Sequence, residues 1–121
     1  MTIVTLTKDN FDNTINQNPM VLVDFWAEWC GPCRVFSEVY HQAASKYPDI
    51  VFGQINIEEE IELAQDFNVQ AIPLLMVFRG NIAIYRETGA LTLQALEKII
   101  KDAKSIDMSE LQKSIEAHND E

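Results

Sequence analysis

The chain reads VLVDFWAEWCGPC from Val21 to Cys33, and this stretch decides the fold that we expect. Its first seven residues form an apolar run of strand length that a single carboxylate, Asp24, interrupts. The only two cysteines of the chain, Cys30 and Cys33, follow at the start of a predicted helix. Two thiols at this spacing can form a disulfide and reopen it with little backbone movement. We therefore expect a reversible two-electron switch at the end of a buried strand.

Length and composition are those of one globular domain. The chain has 121 residues, of which 47% are hydrophobic and 23% are charged. Apolar stretches fall well short of the roughly 20 residues that a membrane span needs, and residues 1–9 lack the features of a signal or transit peptide. The net charge of −10 argues against nucleic acid and anionic membranes as partners, because phosphate contacts need clustered Lys and Arg.

Cysteine usage favours a redox pair in a reducing compartment, the cytoplasm. Two cysteines cannot form the disulfide framework of a small secreted domain. A structural zinc site needs about four ligands, and the two histidines, His41 and His118, lack ligand spacing. We therefore expect no bound metal.

Hydrophobic periodicity predicts alternating strands and helices. The predicted strands cover residues 3–6, 21–27, 50–57, 74–78 and 82–85. The predicted helices run from Thr7 or Asp9 to about Gln17, from Cys33 to about Tyr47, from Glu58–Glu60 onward, and over residues 91–103. We interpret the three glutamates as compensation of a helix dipole rather than as a metal site. The order implies an α/β fold, with a mixed sheet and helices on both faces.

The C-terminal residues form a predicted helical extension. Asp107 begins a capping-box-like segment. The apolar positions after it form one helical stripe: Met108, Leu111 and Ile115. We divide the chain into a domain over residues 1–103 and an acidic amphipathic extension over residues 104–121. The stripe packs on its own domain in the simpler interpretation, and docking to a partner or to a second copy is the alternative.

The two cysteines have distinct predicted roles. Cys30 begins its helix, where unpaired amides and the helix dipole favour the thiolate that attacks a disulfide. Cys33 lies one turn further in, so we expect it to be more buried and to resolve the mixed disulfide. Pro32 suits the first helical turn, where its missing N–H costs nothing, and Gly31 lets the backbone of a partner approach.

Asp24 and Pro73 each leave two interpretations open. A buried Asp24 would have a raised pKa and could take the proton of Cys33 as that thiol attacks, whereas the alternative is a structural carboxylate bonded to backbone. The Ile72–Pro73 bond is either a cis bond in a tight turn or an ordinary trans bond, and the rarity of cis bonds favours trans.

The segment from Asp24 to Cys33 resembles the active-site segment of thioredoxins at every position. The resemblance covers roughly residues 3–103 and includes further matching positions: Asn56-Ile57, Phe67-Asn68-Val69, Ala71-Ile72-Pro73, Phe78 and Gly89-Ala90. It implies a thioredoxin fold with a central five-stranded mixed sheet, to which this chain adds a C-terminal helix.

The resemblance also implies how the site works. Pro73 becomes a cis-proline that faces the dithiol, and its backbone pairs with an extended substrate segment. Asp24 matches the buried carboxylate of the family. Four residues match the apolar docking surface around the dithiol: Trp29, Ile72, Gly89 and Ala90.

Three positions depart from the family pattern. Gln54 stands where a lysine is common near the buried carboxylate, so Asp24 should be harder to ionise. Glu38 stands where a proline commonly kinks the long helix, so this helix should be straighter. Leu74 stands where threonine is common, which makes the floor of the groove more apolar.

These observations predict a thiol–disulfide oxidoreductase that reduces protein disulfides. The resemblance implies a monomer without a bound cofactor, recharged by a thioredoxin reductase-like partner with electrons that come ultimately from NADPH. One alternative is a redox-capable scaffold that docks partners through the surface of Trp29, Ile72 and Pro73 or through the C-terminal helix. Another is an isomerase or oxidase. The presence of both cysteines favours turnover, and Pro32 between them resembles the reducing branch of the family.

Overall fold

The structure is a computed structural model that describes residues 3–119, with side chains through residue 117. Strands and helices alternate along these residues: β1 (Ile3–Thr5), α1 (Phe11–Gln17), β2 (Met20–Trp26), α2 (Gly31–Lys46), β3 (Val51–Asn56), α3 (Ile61–Asp66), β4 (Leu74–Arg79), β5 (Ile82–Thr88), α4 (Leu93–Lys104) and α5 (Met108–Asn119). This is the order that the hydrophobic periodicity predicts.

β2 lies at the centre of the sheet. The strand order is β1-β3-β2-β4-β5, in which β1, β3 and β2 are parallel while β4 is antiparallel to both β2 and β5. Helices cover both faces of β2, which explains why its sequence is apolar almost throughout. The mixed five-stranded sheet between two helical layers confirms the predicted fold class.

Strand alternation divides the side chains of β2 between two cores. Val21, Val23 and Phe25 belong to the core that α1 and α3 cover. Leu22 belongs to the core that α2 and α4 cover. Because Asp24 is two residues from Leu22, its carboxyl lies on the α2 face, which is the face that carries the cysteines.

The first helix begins later than predicted, and neither Thr7 nor Asp9 caps it. Asn10 precedes α1, and its side chain accepts a hydrogen bond from the Thr7 N–H at 2.7 Å. The Phe11 N–H also donates to the Thr7 carbonyl at 2.9 Å. These local bonds form a turn over residues 7–10 that takes the place of the first helical turn.

The glutamates at 58–60 lie before α3 rather than in its first turn. Asn56 accepts three turn hydrogen bonds from this segment: its side-chain oxygen accepts one at 2.9 Å, and its carbonyl accepts two, at 3.2 Å and 2.9 Å. This Asx turn delays the helix to Ile61, and Glu62 is the acidic residue of its first turn. The prediction that the three glutamates open the helix is therefore wrong.

A fifth helix follows α4, which confirms the predicted C-terminal helix. The Asp107 side chain accepts a hydrogen bond from the Glu110 N–H at 3.2 Å, as half of a capping box. The three residues of the apolar stripe are half-buried: Met108, Leu111 and Ile115. The division of the chain after residue 103 stays a prediction, and residues 120 and 121 lie outside the described residues. None of the helices within residues 3–119 is long and apolar enough to cross a bilayer.

Candidate active site

The two cysteines lie between the end of β2 and the start of α2. Cys30 is the N-cap of α2, and its N–H donates to the Ala27 carbonyl at 3.2 Å. Pro32 lies in the first helical turn, as predicted. Cys30 and Cys33 form a disulfide, with their Cα atoms 5.2 Å apart. The structure therefore represents the oxidised state of the predicted switch.

The start of α2 provides a hydrogen-bond donor for the first sulfur. Cys30 Sγ accepts a hydrogen bond from the Cys33 N–H at 3.2 Å. Free amides of this kind at a helix N-terminus stabilise a thiolate. Both residues are buried, with 4% of Cys30 and 2% of Cys33 exposed. The predicted contrast in burial is thus small in the disulfide state, since one covalent bond holds both sulfurs against Ala27 and Ile72.

Asp24 is fully buried beneath α2. Burial raises its pKa to about 7, although a hydrogen bond from Gln54 acts in the opposite direction. Its Oδ1 atom has no hydrogen-bond partner among the described residues. The interpretation of Asp24 as a carboxylate bonded to backbone is therefore wrong. A carboxyl group whose pKa is near neutrality can accept and release a proton under ordinary conditions.

A cavity of about 300 Å³ lies between Cys33 and Gln54, the residue that binds Asp24. Its lining includes Glu28, Cys33, Arg34, Ser37 and Gln54. Gln54 Nε2 donates to Asp24 Oδ2 at 3.2 Å, across neighbouring residues of β2 and β3. Cys33 and the side chain that binds the buried acid therefore line the same space.

Tyr40 and Gly53 support the floor of the site, and the sequence analysis did not single them out. The Tyr40 hydroxyl donates to the Gly53 carbonyl at 2.8 Å, and burial together with the charge of Asp24 keeps the pKa of Tyr40 well above its usual value. A Cβ at Gly53 would collide with the buried side chain of Leu6. A glycine within a strand pattern often marks such a close approach, so this signal was available in the sequence.

Of the predicted docking residues, Ile72 packs against the disulfide and the other three are exposed. The Ile72–Pro73 bond is cis, as the resemblance implies, and the expectation of a trans bond is wrong. The Ile72 carbonyl oxygen lies 3.9 Å from Cys30 Sγ. Trp29 is 66% exposed, and Gly89 and Ala90 are also exposed.

The backbone of Pro73 is held by Gly89, the residue that follows β5. The Gly89 N–H donates to the Pro73 carbonyl at 2.9 Å. Within the described part of the chain, the amide and the carbonyl of Ile72 have no backbone hydrogen-bond partner. Ile72 can therefore offer a donor and an acceptor to an extended peptide beside the dithiol.

Comparison with known proteins agrees with this geometry. The family model described as thioredoxin matches residues 2–102. The chain belongs to the thioredoxin family. A thioredoxin with a Cys30–Cys33 disulfide is a thiol–disulfide oxidoreductase of the protein-disulfide reductase class.

Bacterial and mitochondrial thioredoxins are among its relatives. It is 48% identical over 112 residues to "Putative thioredoxin 2" of Streptomyces coelicolor, an alignment that covers 93% of this chain and 84% of that protein. It is 36% identical to a thioredoxin of Chlamydia pneumoniae, over 78% of this chain and 92% of that one. The oxidised form of mitochondrial thioredoxin 3 from Saccharomyces cerevisiae matches with a TM-score of 0.77 and 35% identity, covering 83% of this chain and 94% of that chain.

Thioredoxins in general need no bound cofactor, because the dithiol itself carries the electrons. Within the described residues, no group of three or more His, Cys, Asp or Glu side chains could hold a metal ion.

Proposed function

We propose that this thioredoxin reduces protein disulfides with Cys30 as nucleophile, Cys33 as resolving thiol and Asp24 as proton acceptor. In the reduced protein, the Cys30 thiolate attacks one sulfur of a substrate disulfide, and the other substrate sulfur leaves as a thiolate. Cys33 then loses its proton to Asp24 and attacks Cys30 Sγ. The second substrate sulfur leaves, and the Cys30–Cys33 disulfide forms. Two electrons pass to the substrate, whose two sulfurs each take up a proton.

The Cys30–Cys33 disulfide at the start of α2, beside the Ile72 backbone, is the observation that carries this proposal. The Cys33 N–H that contacts Cys30 Sγ supports Cys30 as the thiolate. The burial of Asp24 and its link through Gln54 to the cavity of Cys33 support its role in proton transfer.

Substrates dock as an extended segment along Ile72. Its amide and carbonyl, which have no backbone partner within residues 3–119, supply the main-chain hydrogen bonds of strand addition. The exposed Trp29 and the small residues Gly89 and Ala90 form the apolar surface around the dithiol. Gly31 is exposed, and a Cβ there would meet nothing within 4 Å, so a partner can approach the dithiol closely.

A thioredoxin reductase-like partner restores the dithiol with electrons from NADPH. The chemistry requires an external donor, since the chain contains only the two cysteines that become oxidised. The protein works as a monomer in the cytoplasm, where a reducing environment suits a catalytic rather than a structural disulfide.

Insulin reduction tests this function in two arms. With dithiothreitol as electron donor, the wild-type protein should accelerate the precipitation of insulin chains, and Cys30→Ser should not. With NADPH and a bacterial thioredoxin reductase in place of dithiothreitol, NADPH should be consumed in step with insulin reduction. Failure of the first arm contradicts the proposed activity. Failure of the second arm alone contradicts only the proposed electron donor.

A further inference from the structure

The loop that carries Ile72 begins at an irregular end of α3. Asn68 has a positive φ of 52°, the left-handed conformation that ends many helices. The Asn68 N–H donates to the Gln65 carbonyl at 3.0 Å, and the Val69 N–H donates to the Ala64 carbonyl at 2.9 Å. These two bonds form a Schellman motif, which does not use the carbonyls of Phe67 and Asn68.

Arg86 of β5 binds both of these carbonyls. Its Nη1 donates to the Phe67 oxygen at 2.6 Å, and its Nη2 donates to the Asn68 oxygen at 2.9 Å. The guanidinium group therefore makes a two-pronged contact with the C-terminal end of α3, where a positive charge also complements the helix dipole.

We call residues 69–73 the substrate loop. β5 and the residue after it hold this loop at both of its ends. At the start of the loop, the contact is the Arg86 side chain with Phe67 and Asn68. At the end of the loop, the contact is the Gly89 N–H with the Pro73 carbonyl. Arg86 lies opposite Met76 in the β4–β5 register, and Met76 and Phe67 belong to one core cluster. Strand pairing thus places Arg86 close to the C-terminal end of α3.

We propose that Arg86 is a positioning residue for substrate docking, which fixes the start of the loop 69–73 so that the Ile72 backbone faces the dithiol. Ile72 is held directly by neither contact, because its own amide and carbonyl have no backbone partner among the described residues. Its position depends on how firmly the two ends of the loop are anchored. This inference rests on the proposed docking of substrate at Ile72.

The same hairpin contains a matched control. Arg79 of β4 also binds carbonyls at the end of a helix, those of Ala103 at 2.5 Å and Lys104 at 3.3 Å. Its target is α4, which does not lead into the substrate loop. If Arg86 acted only by stabilising the fold, the loss of either guanidinium group would change the KM for insulin in the same way.

Kinetics with two kinds of substrate test the proposal. For Arg86→Gln, the KM for insulin should rise by about three- to tenfold with little change in kcat, because docking is weakened before the chemical steps. The rate with a small aromatic disulfide, which does not need strand pairing, should stay at the wild-type value. Arg79→Gln should leave the KM for insulin unchanged. Arg86→Lys keeps the positive charge but loses the planar pair of N–H donors that binds the two carbonyls, so it should give an intermediate KM. This variant also tests the proposal should Arg86→Gln fail to fold.

Amide hydrogen exchange separates positioning from direct contact with the substrate. Without any substrate, Arg86→Gln should speed exchange at Asn68, Val69 and Gly89, whose N–H groups close the two ends of the loop. Arg79→Gln should instead speed exchange at Ser105, whose N–H bonds to Lys101 and Asp102. An unchanged KM in Arg86→Gln, an equal rise in Arg79→Gln, or a raised KM without faster loop exchange would each overturn the proposal. Loss of insulin reduction in the wild-type protein would instead contradict the proposed function itself.

Discussion

Gln54 Nε2 donates a hydrogen bond to Asp24 Oδ2 at 3.2 Å, and it is the only hydrogen bond that the described residues make to this carboxyl. A neutral amide stabilises a carboxylate less than a cation does. Burial therefore dominates, and the pKa of Asp24 rises to about 7. The identity of residue 54 thus determines how easily the buried acid can receive a proton at neutral pH.

Gln54→Lys should lower the pKa of Asp24 by about one pH unit or more, because an ammonium group beside the carboxyl favours its charged form. The titration can be followed by NMR through the carboxyl carbon of Asp24. Gln94→Lys adds the same charge at an exposed position of α4 and serves as the control. A pKa of Asp24 that is the same in Gln54→Lys as in the wild-type protein would show that residue 54 does not set it.

Asp24→Asn should stabilise the oxidised protein, and its advantage should grow with pH. The unfolded chain releases the Asp24 proton near 3.8, whereas the folded protein keeps it until about 7. The wild-type protein therefore loses stability relative to the variant as pH rises between these values. The full difference is on the order of 4 kcal/mol above pH 7, for a pKa that rises from 3.8 to about 7.

Urea denaturation from pH 4 to pH 8 measures this difference. Asp12→Asn replaces an exposed carboxyl and gives the matched control. A difference in the free energy of unfolding that stays constant over this range would exclude a raised pKa for Asp24. The same variant should slow insulin reduction, because Cys33 loses its proton acceptor.

Gly53→Ala should destabilise the fold by about 1–3 kcal/mol, since an added methyl would overpack the site. The new Cβ would meet Leu6, which is fully buried and cannot move aside into solvent. Thermal unfolding measures the effect, and Gly31→Ala is the comparison because a Cβ there meets nothing within 4 Å. Equal stability of the two variants would contradict the close approach of Leu6.

Truncation after Lys104 should lower the melting temperature and leave insulin reduction intact. The stripe of α5 is half-buried, and Ile106 lines a small cavity with Ile84 and Tyr85. Removal of residues 105–121 uncovers this apolar surface, at a cost of about 1–2 kcal/mol. Unchanged stability together with loss of an oligomer, measured by light scattering, would favour docking to a second copy. Loss of reduction in a truncated protein that stays folded would contradict the separation of the tail from the chemistry.

The sequence predicted the core of the site because its signals are local. The spacing of Cys30 and Cys33 and the apolar run before them specify a strand, a turn and a helix without reference to the rest of the chain. Strand alternation places Asp24 on the same face as Leu22. That this face is covered by α2 follows only from the three-dimensional arrangement.

Features that depend on distant contacts or on competing turns could not be predicted in this way. The late start of α3 reflects the Asx turn of Asn56, which competes with the helix that the glutamates favour. The contact of Arg86 with Phe67 and Asn68 depends on the register of β5 against β4, which no local pattern fixes. The cis Ile72–Pro73 bond was implied by family resemblance, whereas the intrinsic preference of the bond favours trans.

Trapping of the mixed disulfide tests most directly the claim that Cys30 attacks and Cys33 resolves. Reduced Cys33→Ser is mixed with insulin, and the adduct is identified by mass spectrometry after digestion. A stable disulfide between Cys30 and an insulin cysteine should accumulate, while Cys30→Ser under the same conditions should form none. An adduct on Cys33 in Cys30→Ser that forms as fast as the Cys30 adduct, or the absence of any adduct in Cys33→Ser, would contradict the assignment.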